Sequence, residues 1–538
     1  MIHRTESYWA ATDDIPLVET SCAGVLRDAA LARPEHPALV EAVEDPAQRR
    51  RWTYAQLHAE AEQTARALLT VFKPGEHVAI WGGNCAEWVI LQYGLALAGL
   101  VMVTINPAAR VNELAYVLRQ SRARGVFHQT NYRGLDMGAA IAEATALEEL
   151  SLQHVSCLEA LDSFKARGVP DLPLPAIDPH RPCMIQYTSG TTGQPKGALL
   201  NHYSVTNNAR MMAIIKALGP TTVNLGVAPL FHTAGCVANV LGTAQTGGTL
   251  VLPAAFEPEL MLDLIEQERV TFGFGVPTML IALLAAQAKR PRDVSSLVTM
   301  FSGATIVPIE VVRQVEAQFG VTLIIGYGQT ETSPSITHTR LTDADRDKSE
   351  TIGQPIPQIE VKIIDPGTGQ ILPVDQPGEL CTRGFHVMMA YYDMPEATAA
   401  TIGADGWLHT GDLCAMDARG YCRVTGRLKD LIIRGGENIY PREVEEVLYA
   451  HDAVAEVAVF GVPDDYWGEQ VAAVVTFKAG AKASGETLRA HVAAQLARHK
   501  VPSHWYALPA IPATASGKLQ KFRLVEMFRA GELAGAAL

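Results

Sequence analysis

The stretch "YTSGTTGQPKG", Tyr187 to Gly197, sets small hydroxyl residues among glycines ahead of one lysine. Glycine lets backbone N–H groups approach oxyanions closely, and hydroxyls add further donors. Thr188, Ser189, Gly190, Thr191, Thr192 and Gly193, followed by Lys196, therefore suit the wrapping of a polyphosphate. The common nucleotide loop requires G-x-x-x-x-G-K-[ST]. Counting from Gly190 places Pro195 at the sixth position, so that pattern fails. On composition alone a Ser/Gly surface loop is the other reading.

Further segments carry chemistry of the same kind. "GYGQTET" sets Tyr327 between glycines, with Thr330 and Glu331 following. A ring there can stack on a base, and a carboxylate can hold Mg²⁺, which takes oxygen ligands together with phosphates. An ordinary strand-to-helix turn would look alike. "GWLHTGD" ends in Asp412, an acceptor for two ribose hydroxyls. "GRLKDLIIRGGENIYP" begins with Arg427, a candidate ribose or phosphate contact. It also contains Gly435 and Gly436, either a close-approach site or a tight turn before a helix capped by Asn438. "ATASGKLQK" places Lys518 on a Ser-Gly turn, where a solvated tail lysine is the bland alternative.

These residues need a frame. A chain of 538 residues exceeds one hydrophobic core, so two or more domains are expected. The net charge of −13 argues against general nucleic-acid binding. An anionic small substrate must then be met by local donors and a metal. The eight cysteines form no C-x-x-C pair and read as buried free thiols in a reducing compartment. The amino terminus resembles no leader peptide. The apolar window "WVILQYGLALAGLVMVTINP" reads as a buried helix running into a buried strand, not a membrane span. The expected location is cytoplasmic.

From about residue 50 short apolar strands alternate with amphipathic helices. "HVAIWG", "VMVTI", "TLVLP", "LVTMFSGA" and "VTLIIGYG" are strands; "YAQLHAEAEQTARALL", capped by Thr53, and "PELMLDLIEQERV" are helices. Such alternation predicts an α/β fold with parallel sheets covered by helices, and ligands at the carboxyl ends of the strands. "FSGAT" and "GYGQTET" fall at such ends. Near residue 340 the pattern becomes short alternating strands, a small antiparallel unit or β-barrel over about 340–425. The last 110 or so residues read as a compact α+β domain. Its helix "ETLRAHVAAQLARH" sets Leu488, Val492 and Leu496 on one face behind a Ser484 cap.

Taken together, in order and spacing, these segments resemble the adenylate-forming superfamily of AMP-binding enzymes, from "RWTYAQL" to "GKLQK". The resemblance implies an N-terminal adenylation domain over 1–426, a hinge at 427–430 and a mobile C-terminal lid over 431–538. It implies ATP, Mg²⁺ and coenzyme A. Thr188 through Lys196 would form the triphosphate loop. Ser302, Gly303 and Ala304 would line the adenine. Tyr327 would stack on it, and Thr330 would meet phosphate. Glu331 would hold magnesium, and Asp412 and Arg427 the ribose. Lys518 would bridge the substrate carboxylate and the α-phosphate, and His232 in "PLFHTAG" would stand at the mouth of the acyl pocket. Lys429 would be the hinge residue, where many relatives carry aspartate. Gly435 and Gly436 would flank the pantetheine arm.

The implied reaction makes an acyl-adenylate and then an acyl-CoA thioester. "LIIRGGENIYP" nearly repeats the "MIIRGGENIYP" of medium-chain fatty acyl-CoA synthetases. Small residues in "HTAGCVANVLG" and "SGAT" leave room for such a chain, and no acidic or basic residue in these segments asks for an amino acid or a dicarboxylate. The alternatives are an aryl-CoA or methylthio-alkanoate CoA ligase, which would run the same two steps, and an enzyme loading a carrier protein, which would share the first half-reaction. The expected partners are small molecules; a homodimer is compatible with the sequence.

Overall fold

The structure, a computed structural model, describes residues 4–188, 194–303, 307–435, 437–513 and 519–538. Two mostly parallel sheets form the larger part. The first runs Ala390–Tyr391, Lys196–Asn201, Pro182–Thr188, Val101–Ile105, His77–Trp81, Gly125–His128 and His154–Cys157. The second has nine strands. Its middle runs Ser335–His338, Thr322–Gly328, Thr299–Gly303, Phe272–Phe274, Val223–Leu225 and Thr249–Pro253.

One core joins the two sheets. Ile80, Met102 and Met184 of the first and Leu39, Leu250 and Leu252 of the second share it with Val205, Ala209, Val237 and Val240 of the intervening helices. Parallel strands buried on both faces read as unbroken apolar runs, which is why "VMVTI" is buried throughout. The helix Ala86–Leu97 is apolar on every side and buries Trp88, Val89, Leu91 and Tyr93, as the reading of an internal helix expects. Thr53 begins the helix Tyr54–Leu68 through a reciprocal capping box with Gln56.

The antiparallel unit is a five-stranded sheet, Tyr8–Trp9, Ile359–Ile364, Gly378–Gly384, Leu408–Met416 and Cys422–Arg427. It recruits an N-terminal strand from far outside the 340–425 segment, because Trp9 packs with the Val361 and Ile363 side of its core. The C-terminal segment builds a second antiparallel sheet on the long hairpin Val454–Asp464 and Gly468–Phe477. His504–Ala507 joins it in parallel.

Two local expectations change. Asn438 lies in the strand Glu437–Ile439 and caps nothing; the next helix, Pro441–Tyr449, starts behind Tyr440. Proline at the first helical position has no N–H to satisfy, so it sets the start without a side-chain cap. Ser484 does cap its helix, which ends at Ala493, before Leu496. Leu496 still donates its N–H to the Val492 carbonyl. All eight cysteines are free, and six of them are buried.

Candidate active site

The second sheet presents its strand ends to the antiparallel unit. Thr299–Gly303 and Thr322–Gly328 lie in parallel register, with Gly303 opposite Gly326. A Cβ on Gly303 would come 2.7 Å from the Gly326 carbonyl oxygen, and one on Gly328 would come 1.9 Å from that of Pro334. Glycine at both positions is a packing necessity. It brings bare backbone to the place where the chain leaves the sheet.

Asp412 is the best-supported side chain there. Its Oδ2 accepts from the Tyr327 hydroxyl at 2.7 Å and from the Gln329 amide at 2.9 Å. Its Oδ1 lies 3.2 Å from Nε of Arg427, its cross-strand partner. Burial and the neighbouring carboxylate push the Tyr327 hydroxyl well up, so it stays protonated and donates. The turn carrying Asp412 is itself held. Glu379 accepts the Gly411 N–H at 3.0 Å and meets Nδ1 of His409 at 2.9 Å, and Gly411 adopts φ +69°.

Glu331 sits in the short 3₁₀ turn Thr330–Thr332. Its Oε1 accepts from the Tyr391 hydroxyl at 2.7 Å, and its carbonyl accepts the Met388 N–H at 2.8 Å. The amine of Lys196 lies 4.4 Å over the Tyr391 ring. Thr188 and Lys196 face each other as the last pair of their hairpin, so they are the two posts of the Ser/Gly loop. Tyr391 thus ties one post of that loop to Glu331. The second oxygen of Glu331 has no donor among the described residues, which leaves a hard oxygen ligand of the type that magnesium takes alongside phosphates.

His232 precedes a wide-turned helix, Ala234–Leu241. Its ring packs 4.2 Å from that of Phe231, and its carbonyl accepts from Gly235 and Cys236 at 2.9 and 3.0 Å. The side chain is exposed at the surface, with protein packed around it. That crowding lowers its pKa, so the ring is neutral at neutral pH. Asn84 pins this loop to the second sheet by accepting the Leu230 N–H at 2.8 Å and donating to Ala228 and Pro253 carbonyls.

Lys429 is exposed in the 3₁₀ turn Leu428–Asp430, between Arg427 and the strand Ile432–Arg434. Gly435 has φ +60° and donates to the Trp467 carbonyl at 2.8 Å; a Cβ there would strike the Trp467 ring at 2.8 Å. Ser302 is fully buried, with no partner for its hydroxyl among the described residues. Ser189, Gly190, Thr191, Thr192, Gly193, Ala304, Gly436 and Lys518 lie outside the described residues.

The structure therefore brings Tyr327, Asp412 and Arg427 into one cluster, and Thr188, Lys196 and Glu331 into another. Sequence reasoning missed Gln329, Glu379, Tyr391 and Asn84. Gln329 stood inside a quoted motif, while Tyr391 lies 60 residues from Glu331 with no local signal.

Among the described residues, the hairpin ends Thr188 and Lys196, the tethered Asp412–Arg427 pair and the Glu331 carboxylate make up the candidate site. The chain matches the model of the AMP-binding enzyme family over residues 26–392 and that of the AMP-binding enzyme C-terminal domain over 443–518, and it belongs to this family. Within it, the chain is an acyl-CoA synthetase, an ATP-dependent ligase. It is 40% identical over 544 residues to YngI of Bacillus subtilis (strain 168), covering 95% of this chain and 98% of that one. It is 33% identical to the bovine mitochondrial medium-chain acyl-CoA ligase ACSF2, over 88% of this chain and 83% of the relative. Among solved structures, ATP-bound MatB from Rhodopseudomonas palustris superposes with TM-score 0.85 at 28% identity, covering 95% of this chain and 99% of MatB. No helix among the described residues is long and apolar enough to cross a membrane.

Proposed function

We propose that this chain joins a medium-chain carboxylic acid to coenzyme A through an acyl-adenylate, in two half-reactions that use two placements of its C-terminal domain. The observation that carries the reading is the double tether of Asp412 to Tyr327 and Arg427, at the sheet edge where Glu331 also emerges.

In the first half-reaction a carboxylate attacks the α-phosphate of ATP. Two anions must meet, so cations and donors have to stand where charge gathers. Asp412 and Arg427 hold the ribose, and the Tyr327 ring lies along the base beside Ser302 and Gly303. Thr188, Lys196 and Thr330 hold phosphate oxygens. Glu331 would hold magnesium, which when bound offsets charge on the departing pyrophosphate. Lys518 neutralises the approaching carboxylate and α-phosphate. Fixing both reactants also removes much of the entropic barrier. The adenylate is a mixed anhydride and must be kept from water.

In the second half-reaction the segment after Arg427 turns about Lys429. Lys518 withdraws, and Gly435 and Gly436 come to the cleft. Backbone bare of Cβ lets a pantetheine thiol pass closely to the adenylate carbonyl. His232 stands on the cleft wall, neutral and therefore compatible with an apolar acyl chain.

The medium-chain assignment is supported by the small residues of Ala234–Leu241 and by the names of the ACSF2 relatives. An aryl acid is the second reading. It is supported by the likeness to an anthranilate CoA ligase, AuaEII, bound to anthranoyl-AMP, with TM-score 0.83 at 26% identity. ATP–pyrophosphate exchange over a panel of acids, followed by AMP release with and without free CoA, tests both. Exchange with no CoA-dependent turnover would remove the thioester step.

A further inference from the structure

The antiparallel sheet gathers three side chains of ligating type that the reaction above does not use as ligands. Glu379 and Cys381 lie two residues apart on the strand Gly378–Gly384, so they share a face. Cys381 pairs with His409 on the strand Leu408–Met416. Between the pairs Glu379–Leu413 and Cys381–His409 the second strand bulges, four of its steps spanning two of the first. A bulge re-aims side chains. Here a carboxylate oxygen, a thiol sulfur and an imidazole nitrogen come within 4.8 Å of one another. Nδ1 of His409 stands 2.9 Å from Oε2 of Glu379 and 3.5 Å from Sγ of Cys381.

One nitrogen is thus shared between two neighbours, and a single proton on it serves only the carboxylate well. A divalent ion serves all three groups. Tetrahedral zinc, with bonds of about 2.3 Å to sulfur and about 2.0 Å to nitrogen and oxygen, sets sulfur and nitrogen about 3.5 Å apart and nitrogen and oxygen about 3.3 Å apart. The sulfur and nitrogen already stand at that separation, and the carboxylate has to draw back by about 0.4 Å. The cluster reaches solvent through its imidazole: the His409 side chain is 38% exposed and that of Glu379 7%, while Cys381 is buried. Nε2 of His409 has no partner among the described residues, so the ring can carry its proton there and free Nδ1 to ligate. Burial, then Glu379, pushes the Cys381 thiol up to about 12, so the sulfur ligates by exchanging its proton for the metal. Lys362, which pairs with Cys381 from the other side, lays its amine 4.2 Å over the Trp407 ring.

We infer that Glu379, Cys381 and His409 bind a divalent transition ion of the zinc type, distinct from the magnesium proposed for Glu331. Sulfur and nitrogen donors select such an ion over magnesium. A carboxylate, a thiolate and a neutral imidazole together balance its charge, and three protein ligands leave the fourth position to water. Binding forms the bond from Cys381 sulfur to metal, breaks the S–H bond and releases that proton to solvent. The site also adjoins the nucleotide end of the sheet, because the other oxygen of Glu379 accepts the Gly411 N–H, one residue before Asp412.

The test titrates the whole protein, its thiols reduced, with Co²⁺ and then with Zn²⁺. Cobalt bound to thiolate gives an intense near-ultraviolet charge-transfer band, and a site of oxygen ligands gives none. We expect the wild type to show that band, a single equivalent of Zn²⁺ to remove it, and Cys381→Ser to lack it. His409→Gln changes a half-exposed side chain and should weaken Zn²⁺ binding roughly a hundredfold, at least as much as losing an outer partner of a ligand costs. Thermal melting checks that each variant folds. A wild type without the band overturns the inference whether or not the variants fold. So does a band that survives Cys381→Ser, or Zn²⁺ binding unchanged in His409→Gln. Cys22, Cys183 and His202 form a second close trio, buried in the core that joins the two large sheets. A band lost in Cys22→Ser and kept in Cys381→Ser would put the metal there and overturn the assignment.

Discussion

Tyr327 and Asp412, 85 residues apart in sequence, are joined by a 2.7 Å hydrogen bond from phenol to carboxylate. The bond sets the plane of the ring and the lone pairs of the acid with one contact. In the proposed reaction this contact would couple base stacking to ribose binding before nucleotide arrives.

Tyr327→Phe keeps the ring and removes that donor. We expect the KM for ATP to rise about threefold to tenfold with kcat within twofold, the cost of roughly 1 kcal/mol of positioning. Asp412→Ala leaves Tyr327, Gln329 and Arg427 without their acceptor and should cost more than a hundredfold in kcat/KM for ATP, roughly 3 kcal/mol. Equal effects of the two changes would contradict the assigned roles.

Tyr391 offers a cleaner probe of the magnesium role proposed for Glu331. In Tyr391→Phe, Glu331 loses its 2.7 Å donor while Lys196 keeps an aromatic face. The magnesium concentration for half-maximal exchange should shift by about threefold or more. The KM for the carboxylic acid should not move, and titration of exchange against Mg²⁺ reads both.

The two half-reactions should separate genetically. Lys518→Ala is expected to depress adenylate formation by at least a hundredfold while sparing thioester formation from supplied acyl-adenylate. Lys429 sits inside the 3₁₀ turn Leu428–Asp430, where proline's φ is already suitable. Lys429→Pro should therefore fold, leave pyrophosphate exchange within about threefold, and slow thioester formation at least tenfold by restricting rotation. Parallel losses in both half-reactions would argue against the turning domain.

Lys216 also predicts a pH dependence of stability. Its folded pKa of about 7 lies below the ordinary lysine value, so between those two pH values the unfolded chain binds the extra proton. Stability lost to the buried amine is therefore greatest at and below about pH 7 and is regained as pH rises toward 10. His338 and the ring of Phe301 are the groups facing it. Lys216→Met should melt roughly 2–4 °C above the wild type at pH 6.5, with the gap narrowing at pH 9. A gap that widens with pH would contradict the burial of an unpaired amine.

The sequence by itself determined the local devices, because their physics is local. Glycines that leave no room for a Cβ, hydroxyls interleaved with them, and capping by Thr53 and Ser484 act within a few residues and can be read one after another. Hydrophobic runs and helical periods likewise announced parallel sheets covered by helices. Tertiary structure alone decided what these devices touch. Tyr391 reaches Glu331 because its short strand pairs with the strand begun by Lys196, and Tyr8–Trp9 crosses the chain to complete the antiparallel sheet. Lys216 shows the difference most clearly. In sequence it is a lysine at a helix end, where a cation is ordinarily solvated and eases the helix dipole. Only the closing of the helix over Phe301 takes it out of water, and whether a charge is solvated or buried depends on every atom around it, not on its neighbours along the chain.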